Sequence, residues 1–163
     1  MTKQSVTQNS SSKPASQVRR RWQEQFRQRM QGITLDDWRC VGVDIGKYEH
    51  VAVITDGWGS LLVNPFRFSL QQADVHHFLG EIERVSANRL PLVGMEPTGH
   101  YYEPLAYEVG QRYGFERLFL VQSYDVAERR KTWNKGTFKN DEVDACIIAQ
   151  VLREGHGRPV AFT

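Results

Sequence analysis

Cysteine is scarce in this chain. Only Cys40 and Cys146 occur, far apart and without a C-x-x-C pair, so neither a disulfide framework nor a zinc ribbon is available. They read as free thiols of a reducing cytoplasm. No apolar run approaches the roughly 18 residues a membrane helix needs. The opening MTKQSVTQNSSSKPASQ has no apolar core, so it is not a secretory signal. No G-x-S-x-G elbow is present, and His50, His76, His77 and His156 show no metal-ligand spacing. What is present is ordinary: 163 residues, 40% hydrophobic and 25% charged, enough for one soluble domain with a tail.

Charge is unevenly placed. Residues 1–34 hold seven cations and one acid, a net +6 in a chain of net +2, so the rest is mildly acidic. Residues 1–17 are Ser, Gln, Thr and Asn-rich and too poor in apolar groups to offset the entropy of ordering; disorder is expected there. In 18–31, Val18, Trp22, Phe26 and Met30 recur every fourth residue, which suits a basic helix with one apolar stripe. The expected organisation is a basic arm with a helix over 1–36, a body over 37–157 and a tail over 158–163.

Within the body, apolar runs at 39–44, 50–55 and 61–68 predict three strands in an antiparallel meander, with Pro65 placing the third at an edge or bulge. The period then changes. Helices are predicted over 70–85, 101–113, 123–133 and 141–153, with strands at 90–96 and 117–121 between them. Too few residues separate the first two strands for a crossover helix, which excludes a doubly wound parallel fold. The order β-β-β-α-β-α-β-α-α predicts an α/β fold of RNase H-like (RuvC-like) type: a mixed five-stranded sheet flanked by helices.

That topology makes neighbours of the first and fourth strands. Asp44 ends the first, in V-G-V-D-I-G-K, and Glu96 ends the fourth, in V-G-M-E-P-T-G-H-Y. Asp141 and Asp144 open the last helix three residues apart, hence on one face. Taken singly, each acid has a structural role to fill: Asp44 at a strand-end turn, Asp141 and Asp144 at a helix N-terminus. Taken together they form an all-oxygen set suited to Mg²⁺, with Mn²⁺ as the alternative. Without a cation their charges would repel one another. Two such ions can hold the attacking and leaving oxygens of a displacement at phosphorus. Glu103, Glu108 and Glu142 fall on exposed helix positions and are set aside. Next to Asp141, Arg129, Arg130, Lys131, Lys135 and Lys139 alternate with Trp133 and Phe138, a pattern that suits phosphates and stacked bases. Gly99 and His100 follow Glu96; His100 fits a proton shuttle or a plain surface position.

The blocks V-G-V-D-I-G-K, G-M-E-P-T-G-H-Y-Y-E-P-L and K-N-D-E-V-D-A-x-x-I-A, in this order, resemble the N-terminal domain of the insertion-sequence-110 transposases, a family similar to Piv-type DNA invertases. The resemblance covers roughly 40–155. It implies a DEDD site at Asp44, Glu96, Asp141 and Asp144, Mg²⁺-dependent recombination of transposon ends with target DNA, a noncoding guide RNA in part of the family, and self-association. The family normally continues into a second domain that supplies a serine nucleophile. This chain stops at Thr163, so no catalytic serine is assigned, and a long basic arm is not part of the family pattern. Three further readings stand beside it: a self-sufficient RuvC-like nuclease, a non-catalytic nucleic-acid-binding module, and an actin-like ATP-binding fold suggested by D-I-G-K.

Overall fold

The computed structural model describes residues 2–134 and 140–160, with side chains from residue 16 onward except that of residue 134. Six strands form one sheet: β1 (Cys40–Asp44), β2 (Glu49–Thr55), β3 (Leu61–Ser69), β4 (Leu92–Glu96), β5 (Leu118–Leu120) and β6 (Arg158–Pro159). Their order is β3-β2-β1-β4-β5-β6. β1, β2 and β3 form the antiparallel meander, and β4 and β5 run parallel to β1. This is the RNase H-like arrangement expected from the element order. The sixth strand is an addition: two residues pair antiparallel with β5 inside the stretch read as a tail. A segment so short carries no periodicity to read.

Pro65 lies on an edge strand and also in a bulge. Ala52 pairs with Phe66 and Ile54 with Val63, so Asn64 and Pro65 stand opposite the single Val53. The missing proline N–H therefore interrupts no regular ladder.

Among the described residues five α-helices accompany the sheet: α1 (Thr2–Met30), α2 (Gln72–Ser86), α3 (Glu103–Tyr113), α4 (Ser123–Asn134) and α5 (Asp141–Arg153). Strand periodicity divides them between two faces. Val41, Val43, Val93 and Met95 point to one side and pack with Phe78, Ile82, Leu105 and Val109 of α2 and α3. Cys40, Gly42, Asp44, Leu92, Gly94 and Glu96 alternate with them and face the other side. There, Cys40 and Leu92 meet Phe26 and Met30 of α1, Phe119 of β5 and Leu152 of α5. α4 covers α5 through Val126, which packs with Ile147, Ile148 and Val151.

α1 extends through residues 2–17, where composition predicts disorder. Once the anchored end of a helix is nucleated, each further residue costs only propagation. The anchoring turns are the C-terminal ones. Phe26 and Met30 are each 5% exposed, whereas Val18, on the same predicted stripe, is 41% exposed. Phe26 sits edge-on to Trp38 at 5.5 Å and to Phe119 at 6.2 Å. The arm is therefore partly a piece of the core.

Candidate metal centre

Two glycines decide where α5 lies. Gly42 and Gly94 are register partners on the parallel strands β1 and β4. A Cβ built on Gly42 would stand 2.6 Å from the backbone nitrogen of Ala149, and one on Gly94 would stand 3.2 Å from Leu152. Their absence leaves a trough in which α5 sits against the sheet, with Ala145 and Ala149 packed on Val51 and Val53. Asp44 and Glu96 follow two residues after these glycines, on the same face and in register with each other. The close approach of α5 thus sets its first turn above the two strand-end acids. Asn140 caps that turn, its side chain accepting the Val143 N–H at 2.7 Å.

Asp44, Asp141 and Asp144 each offer a carboxylate oxygen, all within 4.8 Å of one another. Asp44 is half-buried, Asp141 exposed and Asp144 buried. Glu96 lies outside this tight group, yet it lines the same pocket of about 210 Å³ with Asp44, Glu49, Thr98, Arg130, Asp141 and Asp144. Burial and then the charges of Asp141, Asp144 and Glu96 push the Asp44 carboxyl up from 3.8 to about 7, helped by a hydrogen bond with Asp141. Desolvation comes first, and the remainder is the repulsion expected of carboxylates gathered with too little compensating charge.

Two arginines partly supply that charge. Arg130 of α4 donates through Nε to Asp144 Oδ1 at 3.0 Å, a pair with 19% and 6% of its side chains exposed. Arg67 of β3 reaches Asp141 Oδ2 at 3.5 Å and Glu49 Oε1 at 3.3 Å. Sequence reasoning missed Arg67 and Glu49. A lone cation and a lone acid in neighbouring strands carry no local signal. Aligning the β2–β3 pair, which sets Val51 opposite Arg67, would have brought both to the acidic end of the sheet.

The other predicted contacts divide. Arg129 is paired with Glu154 at 2.9 Å and Lys131 with Glu128 at 3.1 Å, both away from the pocket. Lys135, Lys139 and Phe138 lie outside the described residues. Trp133 is 45% exposed, its indole N–H bound to Gln150 Oε1 at 2.9 Å. His100 points outward, bound to Glu103 at 2.8 Å, and does not line the pocket. His50 is buried; its Nδ1 accepts the Gly46 N–H at 3.1 Å, and burial lowers its pKa. It braces the turn after Asp44 as a neutral ring. Glu103, Glu108 and Glu142 are exposed.

The three sequence blocks and the acids they deliver fall inside a matching family model, that of a DEDD transposase of the insertion-sequence-110 type, which spans residues 41–163. The chain belongs to this transposase family. No curated protein matches the transposase chain. Among solved structures, it is similar to T. thermophilus RuvC in complex with a Holliday junction substrate, with 16% identity, 76% of this chain and 99% of that one covered, and a TM-score of 0.47. A second Thermus thermophilus RuvC structure gives 18% identity, coverage of 74% and 98%, and a TM-score of 0.42. A ROK family glucokinase from Streptomyces griseus, in complex with glucose and AMPPNP, gives 18% identity, coverage of 57% and 36%, and a TM-score of 0.36. Among the described residues, no helix of the transposase domain is long and apolar enough to cross a membrane.

The donor set fits a hard divalent cation. It consists of carboxylate oxygens alone, with no sulfur or imidazole among the three converging groups. A pocket of this size also has room for waters of coordination.

Proposed function

We propose that this chain is the metal-binding domain of a DNA transposase, with Asp44, Glu96, Asp141 and Asp144 holding Mg²⁺ or Mn²⁺ for phosphodiester exchange at transposon ends and target DNA. The observation that carries it is the convergence of Asp44, Asp141 and Asp144 from β1 and α5, separated by almost the whole body of the chain. A bound cation would polarise the phosphodiester and favour its in-line displacement. The chain's own groups do the rest. Asp44 and Asp144 approach from the sheet and the helix that covers it. Asp141 stands at the pocket wall exposed to solvent, and Glu96, half-buried like Asp44, lines the same pocket. Arg130 lies where a phosphate oxygen can be met.

Contacts from Arg129, Lys131, Lys135 and Lys139 to the DNA backbone belong to this reading on the sequence pattern alone, with Arg129 and Lys131 exchanging Glu154 and Glu128 for phosphate. The division into a basic arm over 1–36, a catalytic body over 37–157 and a short tail over 158–163 belongs to the same reading. So do a noncoding guide RNA, self-association and a place beside DNA in a bacterial-type cytoplasm, all of which rest on the family resemblance.

The test is metal binding followed by DNA chemistry. In a thermal-shift series, millimolar Mg²⁺ or Mn²⁺ raises the melting temperature of the parent, and Asp144→Asn reduces the rise. Supercoiled DNA is then incubated with the parent and the same variant. Metal-dependent nicking by this chain alone favours a self-sufficient nuclease. A metal-dependent stability gain without nicking favours a transposase domain that acts with a partner domain. An unchanged melting curve in a folded protein removes the site.

A further inference from the structure

The acidic pocket meets two arginines from different elements. Arg130 reaches in from α4 and holds the buried Asp144 at 3.0 Å. Arg67 reaches in from β3 and holds the exposed Asp141 at 3.5 Å. Two of the three converging aspartates therefore each carry a guanidinium. The inner contact is the stronger constraint. It is a single contact through Nε between two largely buried side chains, and among the described residues the guanidinium's remaining N–H donors have no partner and are left to the pocket that Arg130 lines.

A guanidinium and a divalent cation cannot both lie against the same carboxylate oxygen without strong repulsion. Yet an arginine there is well placed for a phosphate, because its fork matches phosphate oxygens as well as carboxylate oxygens.

We propose that Arg130, seconded by Arg67, is an exchangeable counter-ion. It neutralises the aspartates, yields Asp144 to the metal, and then binds the phosphate of the DNA strand entering the pocket. This rests on the metal and DNA reading above. It adds a direction: metal binding and DNA binding support each other because one side chain moves between two anions. Arg130 is a positioning residue in this scheme, and no bond is made or broken in the exchange.

The experiment has two arms. In the first, Mn²⁺ and Mg²⁺ are titrated calorimetrically into the parent, Arg130→Gln, Arg67→Gln and the control Arg84→Gln. Arg84 pairs with Glu81 at 2.9 Å on α2, outside the pocket lining. Removing one positive charge from beside a ligand carboxylate tightens binding by at least on the order of tenfold for Arg130→Gln, the gain a few ångströms' separation gives even at water-like dielectric. The gain for the more exposed Arg67→Gln is smaller, and Arg84→Gln matches the parent.

In the second arm, a fluorescent 30-base-pair duplex is titrated at fixed ionic strength with and without Mg²⁺. Mg²⁺ tightens DNA binding by the parent. Arg130→Gln loses most of that enhancement, although it binds the metal better. Equal or weaker metal affinity in Arg130→Gln, with the parent binding normally, overturns the exchange while leaving the metal site standing. Tighter metal binding with the DNA enhancement fully kept overturns the phosphate half. A folded parent that binds neither Mn²⁺ nor Mg²⁺ overturns both this inference and the function it rests on.

Discussion

Replacing Asp44 by Asn should stabilise the protein in the absence of divalent metal and remove its benefit from metal. The carboxyl of Asp44 is held up from 3.8 to about 7, first by burial and then by Asp141, Asp144 and Glu96. Raising a carboxyl from 3.8 to about 7 corresponds to about 4 kcal/mol above pH 7, at 1.36 kcal/mol for each tenfold change in proton affinity. The pocket is open to water on one side, so screening leaves roughly 2 kcal/mol as the working figure. The sign follows from proton counting. Between about pH 4 and pH 7 the unfolded chain has released this proton while the folded chain keeps it. Stability is therefore lost as pH rises through that window, and is level above and below it. Asn cannot ionise, so the variant escapes the loss.

The assay is calorimetric or fluorescence-detected melting in chelator from pH 4 to pH 8.5. The variant should gain on the parent across the window, by roughly 4–8 °C at pH 8, using 2–4 °C per kcal/mol for a chain of this size. Adding Mg²⁺ at about ten times its Kd stabilises the parent by about 1.4 kcal/mol and so closes much of the gap, because the variant has lost a ligand. A gap that is flat from pH 4 to pH 8.5 would refute the reasoning, since neither burial nor the neighbouring acids would then be holding the proton on Asp44. A variant less stable than the parent at pH 8 would refute it as well.

Four other outcomes test how the site and the arm beside it are built. Gly42→Ala forces a methyl against the backbone of α5 and should cost about 1–3 kcal/mol by overpacking, with metal affinity falling alongside, as read by melting and Mn²⁺ titration. Gly80→Ala, where a methyl meets nothing within 4 Å on the helix α2, should instead gain about 0.5–1 kcal/mol; a loss at both glycines would show that side-chain volume, and not the trough, decides. Phe26→Ala should cost about 3–5 kcal/mol in denaturant unfolding, because it empties a site between Trp38 and Phe119. Changing the exposed Arg20, Arg21 and Arg27 together to Gln should leave stability within about 0.5 kcal/mol per site but flatten the salt dependence of DNA binding; an unchanged slope would make the arm irrelevant to DNA.

The contrast between Phe26 and its arginine neighbours also marks where sequence reading succeeds and where it stops. A spacing of four residues correctly finds a stripe, but not how far along it the body extends. Val18 and Phe26 are indistinguishable by period, and only tertiary contact separates them. The first five strands, the edge placement of Pro65 and the span of α5 were legible, because pattern, turn residues and capping agree there. The acids were legible too, since each stands at the end of an element. What spacing cannot supply is the direction of a side chain at the end of its strand. Glu96 is in register with Asp44 and raises its pKa, yet its oxygens fall outside the 4.8 Å group. The arginines show the converse limit. The run from Arg129 to Lys139 reads as one phosphate-binding surface, but three of its cations have separate carboxylate partners, and among its described residues only Arg130 enters the pocket.

The same packing that builds the site also holds it against its own charge. On α5, Ile147, Ile148, Val151 and Leu152 are fully buried, between the sheet, α4 and the anchored end of α1. At about 1.5–3 kcal/mol for each such side chain, their burial amounts to at least about 6 kcal/mol. The cost of ionising Asp44, from its burial first and then from the neighbouring charges, is roughly 2 kcal/mol after screening. The helix therefore stays seated with its two aspartates pressed towards Asp44, and the pocket keeps its shape through a change of counter-ion. Loosening α5 would let the aspartates move apart, relieving their repulsion and weakening the cation site together. A pocket whose walls are set by apolar packing can exchange an arginine for a metal without rebuilding itself, which is the property a charge-switching centre requires.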